Sequence, residues 1–580
     1  MILQELVRYY ERKSSADEAE LAPEGFEYKE IPFVIVLDPD GRFRQIQDTR
    51  SGEGNSRRSA RFLVPQAVKK TSGVAANLLW DTCEYVLGVR CKSKPERVRE
   101  QHDAFLARLN TLTVDDAGLC AIRAFLENIP VGEMGKSPHW PELAEQNPNL
   151  TFRLTEDTFP VCGREAVFCA IRQATGQVTD DSRGICLATG EETTIQRLHP
   201  AIKGVRGAQS SGANIVSFNL RAFESYGKEQ RQGENAPVGK YAAFAYTTAL
   251  NHLLGKDSRQ KMPVGDATVV FWSRSTSHLE DSLSVLLGEP PKDDPDANVR
   301  EVEALFRSIE QGSLNISDSE NTFFVLGLSP NASRISIRFW LTGTVREFSE
   351  RIAKHFQSTE ICRGPRDPRY LSLFRLLVST AQQGKADNIP PNLAGDTLRA
   401  ILSGQPYPET LLAAALRRIR AEREVNYPRA ALVKACLNRA PRSPGSAEEE
   451  DLKVSLDITN TNSGYRLGRL FAALEKIQED ASSGLNATIR DRFYGAASST
   501  PITVFATLMK LSKHHLAKVA ADRPGLAITR ERLLGEINSD LDGNAGFPAH
   551  LSLADQGRFA IGYYHQKQSF YTKKSEGDQQ

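Results

Sequence analysis

Two runs decide the fold: Thr322-Phe323-Phe324-Val325-Leu326-Gly327-Leu328 and, after the turn Ser329-Pro330-Asn331, Arg334-Ile335-Ser336-Ile337-Arg338-Phe339-Trp340. Successive side chains of a strand point to opposite faces, so the second run predicts a strand with Ile335, Ile337 and Phe339 on one face and the arginines on the other. The expectation is a half-buried strand with a basic outer face. Past Thr344 strand signals stop, and apolar residues recur at helical spacing to the end of the chain. The predicted fold class is therefore α+β: a mixed α/β N-terminal region with short strands and hairpins, followed by helices and a C-terminal helical bundle.

Upstream, a β-rich run over 31–37 meets Asp38-Pro39-Asp40-Gly41 and then Phe43 and Ile46, which predicts a hairpin. Residues 51–61 are polar, with Arg57, Arg58 and Arg61, and suit an exposed loop. Phe62-Leu63-Val64-Pro65 is strand-like, residues 94–128 are mostly helical, residues 150–220 suggest short strands and loops, and 268–272 form another strand. The N-terminus places Leu3, Leu6, Val7 and Tyr10 at helical spacing among charges, the pattern of an amphipathic helix rather than a signal peptide.

Downstream, Leu412, Leu416 and Ile419 share a helix side, with Arg417, Arg418, Arg420 and Arg423 elsewhere. Over 411–440 seven basic residues face two acidic ones, a net charge of +5. Pro441-Arg442-Ser443-Pro444-Gly445-Ser446 and an acidic run then predict a linker. Beyond it Leu467, Leu470, Phe471, Leu474 and Ile477 open a bundle, a further helix follows Pro501, and Ser552 with Asp555 caps the last one. These features divide the chain into 1–345, a mixed domain; 346–446, a basic helical region; and 447–580, a helical bundle able to fold without the preceding chain.

Composition narrows the class. At 580 residues the chain exceeds the usual single domain. Its 25% charged and 40% hydrophobic residues match a globular protein, and the longest uncharged apolar stretch, 241–254, falls short of the ~20 residues that span a bilayer. Lys and Arg total 73 against 72 Asp and Glu, so nucleic-acid affinity must come from local patches. Eight cysteines without a C-x-x-C pair fit a reducing cytoplasm.

Phosphate-binding G-x-x-x-x-G-K-[ST], H-E-x-x-H and G-x-S-x-G motifs are missing from the sequence. His102-Asp103 is an HD dipeptide of the kind metal-dependent phosphohydrolases use, but a single pair does not complete a coordination set, and a solvated helix face is the other reading. Cys162, Cys169, Cys186 and His199 can be weighed as a zinc set, although their spacings do not match usual knuckles; buried thiols and a hydrogen-bonded histidine are the alternative.

Residues 203–212 hold three glycines, Lys203, Arg206, Gln209, Ser210 and Ser211, followed by Asn219. Glycines such as Gly207 allow close backbone approach, cations meet phosphates, and amides read base edges, so the segment suits nucleic-acid contact as well as a structural turn. Lys69, Lys70, Asn77 and Trp80 carry the same two readings, with Trp80 the better core residue. Lys510, Lys513, His514 and Lys518 recur at helical spacing, and they and the arginine cluster either line a nucleic-acid path or form solvated faces.

Several segments together resemble the large subunit of the type I-C CRISPR-associated Cascade surveillance complex. They include Lys203-Gly204-Val205, Gln209-Ser210-Ser211-Gly212-Ala213, Val216-Ser217-Phe218-Asn219, Ser225-Tyr226-Gly227 and Ala242-Ala243-Phe244-Ala245-Tyr246. Further along come Phe324-Val325-Leu326-Gly327-Leu328, Tyr465-Arg466-Leu467-Gly468-Arg469-Leu470-Phe471, Gln556-Gly557-Arg558-Phe559 and Gly562-Tyr563-Tyr564-His565.

The resemblance implies a noncatalytic, cofactor-free subunit of an RNA-guided effector in antiviral defence. Such a subunit recognises the protospacer-adjacent motif in double-stranded target DNA, promotes unwinding and R-loop formation, and stabilises the displaced single strand. Its implied partners are guide RNA, backbone and small subunits and the helicase-nuclease, with no membrane. On that reading Lys69, Lys70, Lys203 and Arg206 contact phosphates, and Gln209 and Asn77 read base edges. The resemblance also implies a separately translated C-terminal small subunit, whose start is expected near Val454. The competing readings are an HD-type nuclease or phosphohydrolase using His102 and Asp103, and a purely structural RNA–protein scaffold.

Overall fold

The computed structural model describes residues 1–15, 21–52, 57–68, 73–176, 183–218, 221–223, 234–290, 294, 296–311, 319–441, 451–482, 484–539 and 546–571. The chain forms two compact units, Met1–Ile202 with Ser211–His252, and Lys203–Ser210 with Leu253–Gln580. It is α+β, as its periodicities predict.

In the first unit a four-stranded sheet has the order β3 (Phe43–Asp48), β2 (Phe33–Leu37), β6 (Asn149–Leu154), β5 (Trp80–Thr82), with β2 and β6 parallel. β2 is buried along its whole length, which explains its uninterrupted apolar run. The expected hairpin joins β2 to β3: Asp38 N–H donates to Arg42 O and Gly41 N–H to Asp38 O, both at 2.9 Å. β1 (Phe26–Glu30) pairs with β4 (Arg61–Pro65), and β7 (Arg183–Ile185) with β8 (Glu192–Thr194). The helices Pro95–Leu109 and Ala117–Glu127 pack on the four-stranded sheet through Phe105, Ile122 and Phe125. Trp80 is core, its indole N–H donating to Pro65 O at 2.8 Å.

The second unit begins with an antiparallel sheet in the order β12 (Arg334–Thr344), β11 (Thr322–Asn331), β10 (Ala267–Ser273), β9 (Lys261–Val264). The expected simple alternation along β12 fails at one residue. The register steps from Leu328 opposite Ile337 to Gly327 opposite Phe339, leaving Arg338 as a bulge. One extra residue reverses every later side chain, so Ile337 and Phe339 fall on opposite faces: Phe339 is buried and Ile337 is 41% exposed. Gly327 has no Cβ because the Phe339 ring crosses it, leaving only 2.5 Å to where that atom would lie.

Helices follow from Val345 onward, and their apolar faces share one core with the sheet, running from Met262 and Phe271 to Phe559 and Tyr564. The second unit therefore runs on from Leu253, and the boundaries read at 345 and 446 lie inside it. Periodicity marks where strands give way to helices but not which of them share a core. Of the linker, 442–450 lie outside the described residues, and beyond it Leu452 returns to the core in a reciprocal pairing with the Asn438 amide. Gly557 of the last helix, Leu553–Ser569, faces Leu412, Val433 and Leu437, so a bundle cut at 447 would expose an apolar face that the preceding helices cover.

No helix among the described residues is long and apolar enough to cross a membrane.

Candidate nucleic-acid interface

The glycine-rich segment is a loop with a closed neck. Ile202 and Ala213 exchange both backbone hydrogen bonds at 2.9 Å, and Asn214 Nδ2 donates to the carbonyls of His199 and Pro200. At the tip, which groups with the second unit, Val205 is a buried plug, and Ala208 N–H closes a turn onto Val205 O at 3.1 Å. Gly204 and Gly207 take φ of 89° and 78°, values that L side chains rarely adopt. A Cβ on Gly204 would lie 2.6 Å from Leu254 O. Arg206 N–H donates to Thr268 Oγ1 at 3.0 Å. The backbone is thus held in place, while Lys203, Arg206, Gln209 and Ser210 are exposed. Preorganised backbone with exposed cation, amide and hydroxyl groups suits phosphate and base-edge contacts.

Lys69, Lys70 and Asn219 lie outside the described residues. Asn77 is 5% exposed; its Oδ1 accepts from Val68 N–H at 3.0 Å, and its own N–H donates to Asp81. These bonds tie Asn77 to the Val68 backbone and the Asp81 side chain of its own unit.

Among the described helices, the +5 of 411–440 is divided by burial. Arg417 and Arg420 on the Glu409–Glu422 helix are exposed, as is Arg423, which ends that helix with φ 56°. Arg420 bonds Gln556, and Arg418 is half-buried, 3.7 Å from Glu422. The other three cations, Arg429, Lys434 and Arg439, are buried on the Tyr427–Asn438 helix and at its C-cap.

Each of these buried cations meets the carbonyl end of a different helix. Arg429 Nε donates to Ser379 O at 2.9 Å, capping Leu373–Val378. Lys434 Nζ is 3.4 Å from Ser358 O in the last turn of Val345–Thr359. Arg439 Nη2 donates to Ala400 O and Gln405 O, at the end of Pro391–Ser403. Cations are favoured at helix C-termini, where unpaired carbonyls concentrate negative potential. The local basic excess is therefore partly internal scaffolding, and the surface that could touch nucleic acid narrows to Arg417, Arg420 and Arg423.

Replacing those three by glutamine is expected to weaken nucleic-acid binding by the assembled complex more at low salt than at high salt, because released counterions drive such contacts. A titration series in KCl checks this, and an equal loss at all salt concentrations would assign the arginines to packing.

Lys510, Lys513, His514 and Lys518 are exposed on the Phe505–Asp522 helix, with Lys518 Nζ 3.0 Å from Ser482 Oγ. Burial, then the charges of His514 and Lys518, hold the neighbouring His515 below its ordinary pKa.

The remaining candidates are dispersed. His102 Nδ1 pairs with Tyr85 O at 3.0 Å, Asp103 is exposed, and among the described residues no three His, Cys, Asp or Glu side chains are placed to hold a metal. Cys162 Sγ bonds Leu63 O, Cys169 is exposed, Cys186 Sγ accepts from Gly239 N–H, and His199 Nδ1 pairs with the Tyr246 hydroxyl at 2.6 Å.

The sequence profile of the CRISPR-associated protein family Cas_Csd1 matches residues 6–571, and the chain belongs to that family. That membership supports a large-subunit role in a Cascade complex acting with nucleic acid. Comparison with curated proteins gave no match.

Proposed function

We propose that this chain is the noncatalytic large subunit of a type I-C RNA-guided complex. It reads the protospacer-adjacent motif in duplex DNA, starts strand separation and R-loop formation, holds the displaced strand and helps recruit the helicase-nuclease. The observation that carries the reading is the exposed Lys203–Ser210 tip on a fixed backbone, in a chain matched over almost its full length by a CRISPR-associated family. Guide pairing then supplies sequence choice, and the protein has only a short duplex tag to read.

The experiment measures duplex binding by the assembled complex, with and without the motif. Gln209→Ala should relax discrimination at one motif position by ~1–3 kcal/mol, as expected for a base-edge contact. Lys203→Gln with Arg206→Gln should weaken all duplexes alike and flatten the salt dependence. Unchanged affinity and preference in both variants would remove the loop from the interface. Metal-dependent cleavage of DNA by the purified chain, abolished by His102→Ala, would replace the proposal with the nuclease reading.

A further inference from the structure

The glycine-rich tip shares its end of the second unit's sheet with two turns. β10 runs antiparallel to both β9 and β11, with Thr268 opposite Pro263 on one side and Leu328 on the other. The β9–β10 and β11–β12 turns therefore emerge at the same end, and the loop lies against it. Arg206 N–H reaches Thr268 there, and a Cβ added to Gly207 would stand 3.3 Å from Pro330 Cγ. Pro330 is one residue from the β11–β12 tip, where Asn331 pairs with Arg334 across Ala332 and Ser333.

Three features define what that tip presents. Asn331, Ala332 and Ser333 are all exposed. Ala332 holds φ 53°, the positive value that a two-residue hairpin requires at its first central residue, so the tip is as tight as a hairpin allows. The Asn331 amide and the Ser333 hydroxyl have no hydrogen-bond partner among the described residues. Asp266, the carboxylate of the β9–β10 turn, is paired with Arg338 at 2.9 Å, so its negative charge is compensated at this end of the sheet.

We infer that the β11–β12 tip is a second duplex-reading element beside the Arg206–Gln209 loop, with Asn331 contacting a base edge and Ser333 a phosphate. The inference rests on the function proposed above. An asparagine amide offers one donor and one acceptor side by side, the pair that matches adenine in the major groove. Ala332 keeps the tip narrow enough for its backbone to approach the duplex, and Arg206 supplies charge alongside it. Two adjoining loops contact more of a short motif than one loop alone.

The test uses the assembled complex on target duplex, with the photo-crosslinker p-benzoylphenylalanine placed at position 333 and, separately, at position 209. Crosslinks from position 333 to DNA within or bordering the motif, with about tenfold weaker motif preference in Asn331→Ala and normal assembly, are the expected results. Ala332→Gly should keep both assembly and preference, since it leaves both readers in place. If position 209 reaches DNA while position 333 reaches only a neighbouring protein subunit or nothing, and Asn331→Ala keeps its preference, the tip is not a reader and the loop still is. If neither position reaches DNA, the inference falls together with the reading on which it rests.

Discussion

Gly468→Ala is expected to destabilise the second unit by about 3 kcal/mol or more, the upper range for overpacking a core. Gly468 lies on the Ser463–Ala481 helix, where an added Cβ would fall 2.0 Å from Phe559 O and 2.8 Å from Tyr563 N. Both atoms belong to the backbone of the Leu553–Ser569 helix, so no rotamer change can make room. The contact is reciprocal, because a Cβ on Gly562 would lie 2.0 Å from Tyr465 O. Gly464 lies beside Asp555 and Gly468 beside Phe559, so the two helices run in the same direction with their backbones in contact. Only glycine permits that approach, which is also what lets Tyr465 reach His565 Nδ1 at 3.0 Å.

Urea unfolding of the purified chain checks the expectation. Gly535→Ala on the Pro524–Ser539 helix, where an added Cβ meets nothing within 4 Å, should instead stabilise by roughly 0.5–1 kcal/mol through helix propensity. A Gly468→Ala protein as stable as the parent would mean that the two helices do not pack this closely.

The second large effect is acid lability between pH 7 and pH 5. His355 and His565 are each 1% exposed, and each pairs through Nδ1 with a tyrosine hydroxyl, Tyr407 at 2.5 Å and Tyr465 at 3.0 Å. Burial, with Arg439 adding to it, holds His355 down at about 3. Burial and then Lys434, opposed by Asp457, hold His565 at about 4. A folded pKa below the unfolded value of about 6.5 means that the unfolded chain binds the proton first. The stability these histidines confer is therefore complete above pH 6.5 and is lost as pH falls toward their folded values.

Two such groups together remove about 3–4 kcal/mol between pH 7 and pH 5. Asp457, Asp480 and Asp555 have pKa values lowered in the fold, so their contribution is lost only at more acid pH. Stability measured by urea unfolding at a series of pH values should fall over this window, and less steeply in His355→Gln and His565→Gln. A flat profile in the parent protein would show that the two imidazoles are not buried as neutral groups.

The existence of β11 and β12, the helical spacing after Thr344 and the Ser552 cap, whose Oγ accepts from Asp555 N–H at 3.1 Å, were legible because local apolar pattern and capping residues mark the type and ends of an element. The glycine-rich tip was legible as a loop for a related reason: glycines lose the most conformational freedom in a helix or strand, so three of them among polar residues break both. The turn expected at Ser329-Pro330-Asn331 lies further on, because those three residues pair with Ser336, Ile335 and Arg334 as the end of β11 and the chain reverses at Ala332-Ser333; nothing local places that turn beside the Gly207 loop.

Tertiary structure decided the rest. The bulge at Arg338 changes the facing of every later residue in β12, and nothing in an alternating sequence marks where a register will slip. The burial of Asn77, with its Oδ1 accepting from Val68 N–H and its backbone N–H donating to Asp81, is brought about by the folded chain and is not marked in the local sequence. The division near residue 252 depends on a core that joins strands and helices distant in sequence. The cations of 411–440 have the same formal charge throughout, yet only those that find another helix's carbonyls can be buried, because an ion leaves water only where fixed dipoles or counter-charges replace its hydration. Arg429, Lys434 and Arg439 find such partners on three other helices, whereas Arg417 and Arg423 remain in solvent.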